Sequence, residues 1–147
     1  MPETVAIAAD HGGVDLKSLI LPELRALGLT VLDLGTLSRD PVDYPDYAAA
    51  LVRAIVEGRA DRGVLVCGTG IGMSIAANRH RAIRAALCHD ATTARLARQH
   101  NDANVLCLGG RVLGSEAAKD CVKTFFTTSF LGGHHSPRVA KLSDRQE

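Results

Sequence analysis

Five short, nearly continuous apolar runs alternate with segments of helical spacing along the whole 147-residue chain, and this alternation limits the possible folds more than any other feature. The runs are Thr4–Ala9, Leu29–Leu34, Gly63–Cys67, Ile83–Cys88 and Ala103–Leu108. A strand with one wet face alternates apolar and polar residues, whereas a strand buried on both faces does not. Between the first two runs, Asp15–Leu27 places Leu16, Leu19, Ile20, Leu24 and Leu27 at helical spacing and stops at Gly28. Pro22 inside that segment predicts a kink or a local break. Further helices are expected over Asp46–Glu57, Gly70–Arg79, Ala91–Gln99 and Ser115–Phe126, and Ser38–Pro45 is the longest loop. Such an order predicts a three-layer α/β/α, Rossmann-like fold: five parallel strands, helices on both faces and right-handed crossovers. The length suits one domain with a full core, residues 1–147.

In open sheets of this kind ligands bind beyond the carboxyl ends of the strands. That edge collects Asp10-His11-Gly12-Gly13, Cys67–Gly72, His89-Asp90 and Gly109-Gly110-Arg111. The second cluster, C-G-T-G-I-G, carries the most chemistry. Three glycines in five positions let backbone N–H groups approach an anion, and the helix that follows adds its positive end. A thiol in such a field is a better base or nucleophile than a free cysteine. Each cluster also has a plainer reading: an inert buried cysteine, a helix-capping Asp10 or Asp90, a solvated Arg111. His80, between two arginines, reads as surface. His100 ends a helical segment, where a histidine ordinarily pairs with the helix dipole. With Asn101 beside it, His100 also fits a proton donor next to a hydrogen-bond donor.

The formal net charge of +1 argues against a nucleic-acid surface, which needs clustered excess Lys and Arg. No apolar run approaches the roughly 18 residues of a membrane span, and the N-terminus lacks a basic segment followed by an apolar one. A cytoplasmic protein without nucleic-acid or membrane partners is therefore expected. Cys67, Cys88, Cys107 and Cys121 form no C-x-x-C pair, so neither a zinc site nor a redox couple is expected.

Taken together, A-D-H-G-G at 9–13, D-Y-P at 43–45, C-G-T-G-I-G-M-S-I-A-A-N at 67–78, A-I-R-A at 82–85, R-Q-H-N-D-A-N-V-L at 98–106, G-G-R-V-L-G at 109–114 and R-V at 138–139 form a specific pattern. The chain resembles, along nearly its whole length, the B-type ribose-5-phosphate isomerases and the related galactose- and allose-phosphate isomerases. The resemblance implies an aldose–ketose isomerase in which Cys67 is the base that moves a proton between C2 and C1. It makes the amides of Gly68, Thr69, Gly70, Ile71 and Gly72 the anion hole, with the Thr69 hydroxyl and Asn101 helping to hold the sugar. His100 would protonate the ring oxygen and Asp10 would bind the sugar hydroxyls or accept a hydroxyl proton. His11, Arg111 and Arg138 would hold the phosphate. Ser136-Pro137 reads as a helix N-cap and first residue, which puts Arg138 in a first turn. The family implies no metal and no organic cofactor, and a homodimer or dimer of dimers with shared sites.

Two positions depart from the family pattern. His134 stands where relatives usually carry arginine, so a permanent charge becomes one that titrates near neutrality and phosphate affinity is expected to weaken as pH rises. Thr92 replaces a frequent aromatic residue and leaves room for a longer sugar, so a hexose 6-phosphate is the alternative substrate. A non-catalytic sugar-phosphate or nucleotide sensor on the same fold is the alternative of a different class. Dehydrogenase chemistry fits less well, because the glycine pattern follows the third strand and misses the G-x-G-x-x-G spacing.

Overall fold

The computed structural model describes residues 2–144. Five strands, β1 (Thr4–Ala9), β2 (Thr30–Asp33), β3 (Arg62–Cys67), β4 (Ala85–Leu87) and β5 (Val105–Gly109), form one sheet in the order β2-β1-β3-β5-β4. Every pairing is parallel. The helices are α1 (Val14–Ala26), α2 (Tyr44–Val56), α3 (Ile71–Ala77), α4 (Ala91–Asn101), α5 (Ser115–Thr127) and α6 (Ser136–Asp144), with a 3-10 turn at Gly133–His135.

Two apolar layers explain why the strands read as continuous hydrophobic runs. Val5, Ile7, Val64, Val66, Leu106 and Leu108 face one way and pack against Leu16, Ile20, Leu24, Ala94, Ala118, Val122 and Phe125 from α1, α4 and α5. The intervening residues Ala6, Ala8, Leu65, Cys67, Val105 and Cys107 face α2 and α3, meeting Ala48, Leu51, Ala54, Met73 and Ala77. Each central strand is thus buried on both faces, the three-layer arrangement expected from the sequence.

Four details differ from the expected elements. The helix α1 runs unbroken through Pro22. The helix α2 starts at Tyr44 rather than Asp46, because Pro45 falls in the first turn, where its missing N–H costs no helical bond. The helix α3 stops at Ala77 rather than Arg79. There the Asn78 amide turns back to accept from the Ala85 N–H (2.7 Å) and donate to the Ala85 carbonyl (2.9 Å), an imitation strand on the outer edge of β4. The last strand before α4 is only Ala85–Leu87. Among the described residues no helix is long and apolar enough to cross a membrane.

Candidate active site

The strand order places the carboxyl ends of β1, β3 and β5 side by side, with Ala9 opposite Val66 and Cys67 opposite Gly109. Their loops touch through backbone. The Gly110 N–H donates to the Cys67 carbonyl (2.8 Å) and the Arg111 N–H to the Gly68 carbonyl (2.9 Å). A Cβ on Gly110 would lie 2.6 Å from the Gly12 carbonyl oxygen, so no larger residue permits this approach.

Gly70 has a left-handed backbone (φ 79°) and its N–H donates to the Cys67 sulfur at 3.1 Å. The conformation needs glycine, and it aims a preset N–H donor at the sulfur. Ile71 N–H donates to the Thr69 hydroxyl (3.2 Å), and the Gly72 and Met73 amides that follow have no carbonyl one turn earlier within the helix to receive them. Cys67 itself is 5 % exposed.

Around this cradle, Asp10 is buried and accepts from the Gly12 N–H at 2.9 Å. His11 Nδ1 accepts from the Val42 N–H (3.1 Å), which assigns the proton to Nε2 and leaves that nitrogen as the donor. The Arg111 guanidinium stands over Gly68, with Nη1 3.3 Å from where a Cβ would sit. Tyr44, to which the sequence reading assigned no role, lays its ring against Gly72, a Cβ there being 2.6 Å from Tyr44 Cε1. The signal was an aromatic residue between Asp43 and Pro45 at the start of α2, on the edge where ligands bind. His89-Asp90 is a helix cap: Asp90 Oδ1 accepts from the Thr93 N–H at 2.7 Å, and that bond, with one from the Thr93 hydroxyl, holds the carboxyl below the usual carboxylate range.

The remaining residues lie elsewhere. The helix α4 starts at the carboxyl edge and runs back over 11 residues, about 16 Å at 1.5 Å per residue. Its far end meets the opposite edge of the sheet, where the Asn104 carbonyl accepts from the N–H of Gly63 near the start of β3 (3.0 Å). His100 and Asn101 are therefore at the amino edge, away from Cys67. They line a cleft of about 340 Å³ with His135, Arg138, Val139 and Leu142. His100 stacks on His135 (centroids 4.4 Å, 15° between planes), and His134 meets the other ring at 4.0 Å. Burial first, then the charges of His134, His100 and Arg138, pulls His135 below the ordinary histidine value. A larger groove, about 550 Å³ between α2 and α3, holds none of the predicted site residues.

The expected site residues thus fall into two groups: Asp10, His11, Cys67–Gly72 and Arg111 on one edge; His100, Asn101, His134 and Arg138 near the other. The family described as Ribose/Galactose Isomerase matches residues 5–142. The chain belongs to the ribose/galactose isomerase family. It is 44% identical over 139 residues to ribose-5-phosphate isomerase B of Escherichia coli, covering 95% of this chain and 93% of that one. It is 46% identical over 141 residues to the D-erythrulose-4-phosphate isomerase of Pectobacterium atrosepticum (95% and 92% covered). A ribose 5-phosphate isomerase structure from Thermotoga maritima superposes with a TM-score of 0.94 at 50% identity, covering 97% of this chain and 99% of that one.

Within this isomerase fold the four thiols are not equivalent. Burial pushes the Cys88 thiol up to about 11 and the Cys121 thiol up to about 12, and drives Cys107 higher still. Cys67 alone lies in the glycine turn, with its sulfur receiving the Gly70 N–H. Iodoacetamide at pH 8 is expected to label the native protein at Cys67 alone and the denatured protein at all four cysteines; mass spectrometry of the peptides checks it.

Proposed function

We propose that the protein interconverts D-ribose 5-phosphate and D-ribulose 5-phosphate through an enediolate. The observation that carries this reading is the Cys67 sulfur held by the Gly70 N–H inside a cradle of backbone donors, beside the buried Asp10. Proton abstraction next to a carbonyl needs a positioned base and preset donors for the oxyanion, and these groups supply both.

His100, as imidazolium, gives a proton to the ring oxygen while Asp10 takes the proton of the C1 hydroxyl. The C1–O ring bond breaks and the aldehyde forms. The Cys67 thiolate removes the C2 proton, the electron pair moves to the C1 oxygen, and the Gly68–Gly72 amides hold the resulting enediolate. A proton then passes from O2 to O1, and the Cys67 thiol, its proton exchanged with solvent while the enediolate is held, protonates C1, leaving the C2 ketone. The Thr69 hydroxyl and Asn101 hold the sugar, while His11, Arg111, His134 and Arg138 hold the phosphate. These steps move only protons, so the reading calls for no metal and no organic cofactor.

Because the acid and the base lie on opposite edges of one chain, the working site is formed between two copies. Exposed Ile71 (51%) and Ile75 (60%) on α3, and Leu131 (61%) and Leu142 (57%) near His100, supply apolar surface for a homodimer, alone or paired into a tetramer. A charged metabolite as substrate fits a cytoplasmic enzyme.

Turnover in deuterium oxide tests the chemistry: deuterium is expected at C2 of the aldose and C1 of the ketose, and product free of solvent deuterium overturns the proposal. Assaying ribose 5-phosphate beside D-erythrulose 4-phosphate and the 6-phosphates of allose and galactose tests chain length. A higher kcat/KM for any of the last three rejects the five-carbon assignment. In the same assay His134→Arg is expected to lower KM for the preferred sugar, because it sets a permanent, fork-shaped cation where this chain carries an imidazole.

A further inference from the structure

We propose that His135 is a positioning residue whose imidazole, stacked flat on that of His100, holds the ring-opening acid in the orientation that the sugar's ring oxygen requires. The proposal rests on the reading of His100 as that acid.

The stack is built from both sides. The two rings lie 4.4 Å apart and within 15° of parallel, which places one face of His100 against a fixed plane. His135 sits on a turn entered through two left-handed glycines, Gly132 (φ 67°) and Gly133 (φ 59°), and its N–H donates to the Gly132 carbonyl at 3.1 Å. The segment leading to it is tied to the acid's own helix, since the Leu131 N–H donates to the carbonyl of Gln99, the residue before His100 (3.1 Å). The buried Arg98 completes the brace. It donates to the Thr128 carbonyl (3.1 Å), the Asp102 carboxylate (2.9 Å) and the Ala103 carbonyl (2.6 Å), which binds the end of α5 to the end of α4. An imidazole turns about two side-chain torsions; a fixed plane against one face removes most of that freedom, and orientation of a catalytic group governs its rate.

The titratable and charged groups against His135 are His100, His134 and Arg138, all of them cationic or able to become so. They favour a neutral His135 beside an acid that must carry its proton, since two stacked imidazoliums repel.

Substrate chemistry separates positioning of the acid from a general loss of structure. Ribulose 5-phosphate has its O5 esterified and cannot close a ring on C2, so ring opening is needed only in the aldose-to-ketose direction. In the full-length enzyme, His135→Ala is expected to lower kcat/KM for ribose 5-phosphate by about tenfold to a hundredfold. For ribulose 5-phosphate the same variant is expected to lose less than about threefold. His135→Phe, which keeps a flat ring in the stack, is expected to recover most of the loss. His100→Ala serves as the reference and is expected to show the same directional asymmetry more strongly. A symmetric loss in His100→Ala overturns the reading of His100 and the proposal with it. An asymmetric His100→Ala beside a His135→Ala that is symmetric or unchanged overturns the proposal alone. A His135→Phe as impaired as His135→Ala also overturns it, because the ring nitrogens rather than the stack would then be required.

Discussion

Cys67→Ala is expected to lower kcat by about 10²–10⁴-fold, the range that a positioned general base contributes. The same change is expected to leave binding of a non-reacting sugar-phosphate analogue within about twofold, because the proposed phosphate ligands are other side chains. The split follows from the geometry. The sulfur receives the Gly70 N–H but contributes nothing to the Gly110–Cys67 and Arg111–Gly68 backbone bonds that shape the loop, so its loss leaves the cradle standing. Titration calorimetry with the analogue, run beside steady-state kinetics, reads both numbers. Retained turnover in Cys67→Ala ends the case for this base. Analogue binding with no turnover in the wild-type protein, on any of the four sugars, would make the protein a sensor instead.

A second large effect is expected on ribose 5-phosphate turnover from mixing two proteins that are each impaired in that direction. In the proposed homodimer, Cys67→Ala and His100→Ala each remove one half of every site. After subunit exchange the mixed dimer has one site with both defects and one with none, and half of the dimers are mixed at random exchange. Activity is therefore expected to climb from near zero to about one quarter of the wild-type value, the count for a two-fold dimer with shared sites. The expectation rests on the course of α4, which carries His100 away from the edge where Cys67 lies. Exchange demonstrated by mass spectrometry with no recovery of activity places both groups in one chain's site and rejects the interface.

Much of this was legible in local sequence. Near-continuous apolar runs report burial on both faces, because each run needs only its own residues to show it; the strand expected at Thr4–Ala9 stands there, and the one expected at Ala103–Leu108 stands at Val105–Gly109. The Cys67–Gly72 turn was legible for the same reason: glycine at positions 68, 70 and 72 is a local demand of a local conformation. What failed were boundaries set by partners distant in sequence. The helix α3 ends early because Asn78 finds the unpaired backbone of Ala85, and β4 is short in turn. Tyr44 gained its place from the approach of α2 to Gly72, which no window of adjacent residues contains. His135 went unassigned because a stack of two rings 35 positions apart leaves no periodic trace.

By itself, then, the sequence determined the class of fold, the direction of the strands and the turn that presents the sulfur, since burial period and glycine spacing act over a few residues at a time. Only the tertiary structure decided that β1, β3 and β5 lie side by side, that Asp10, Cys67 and Arg111 meet at one edge, and that His100 stands at the other. Strand order and the course of a returning helix are settled by which apolar faces pack together across the whole chain, and that long-range choice decides which of the candidate groups a single copy can bring to one place.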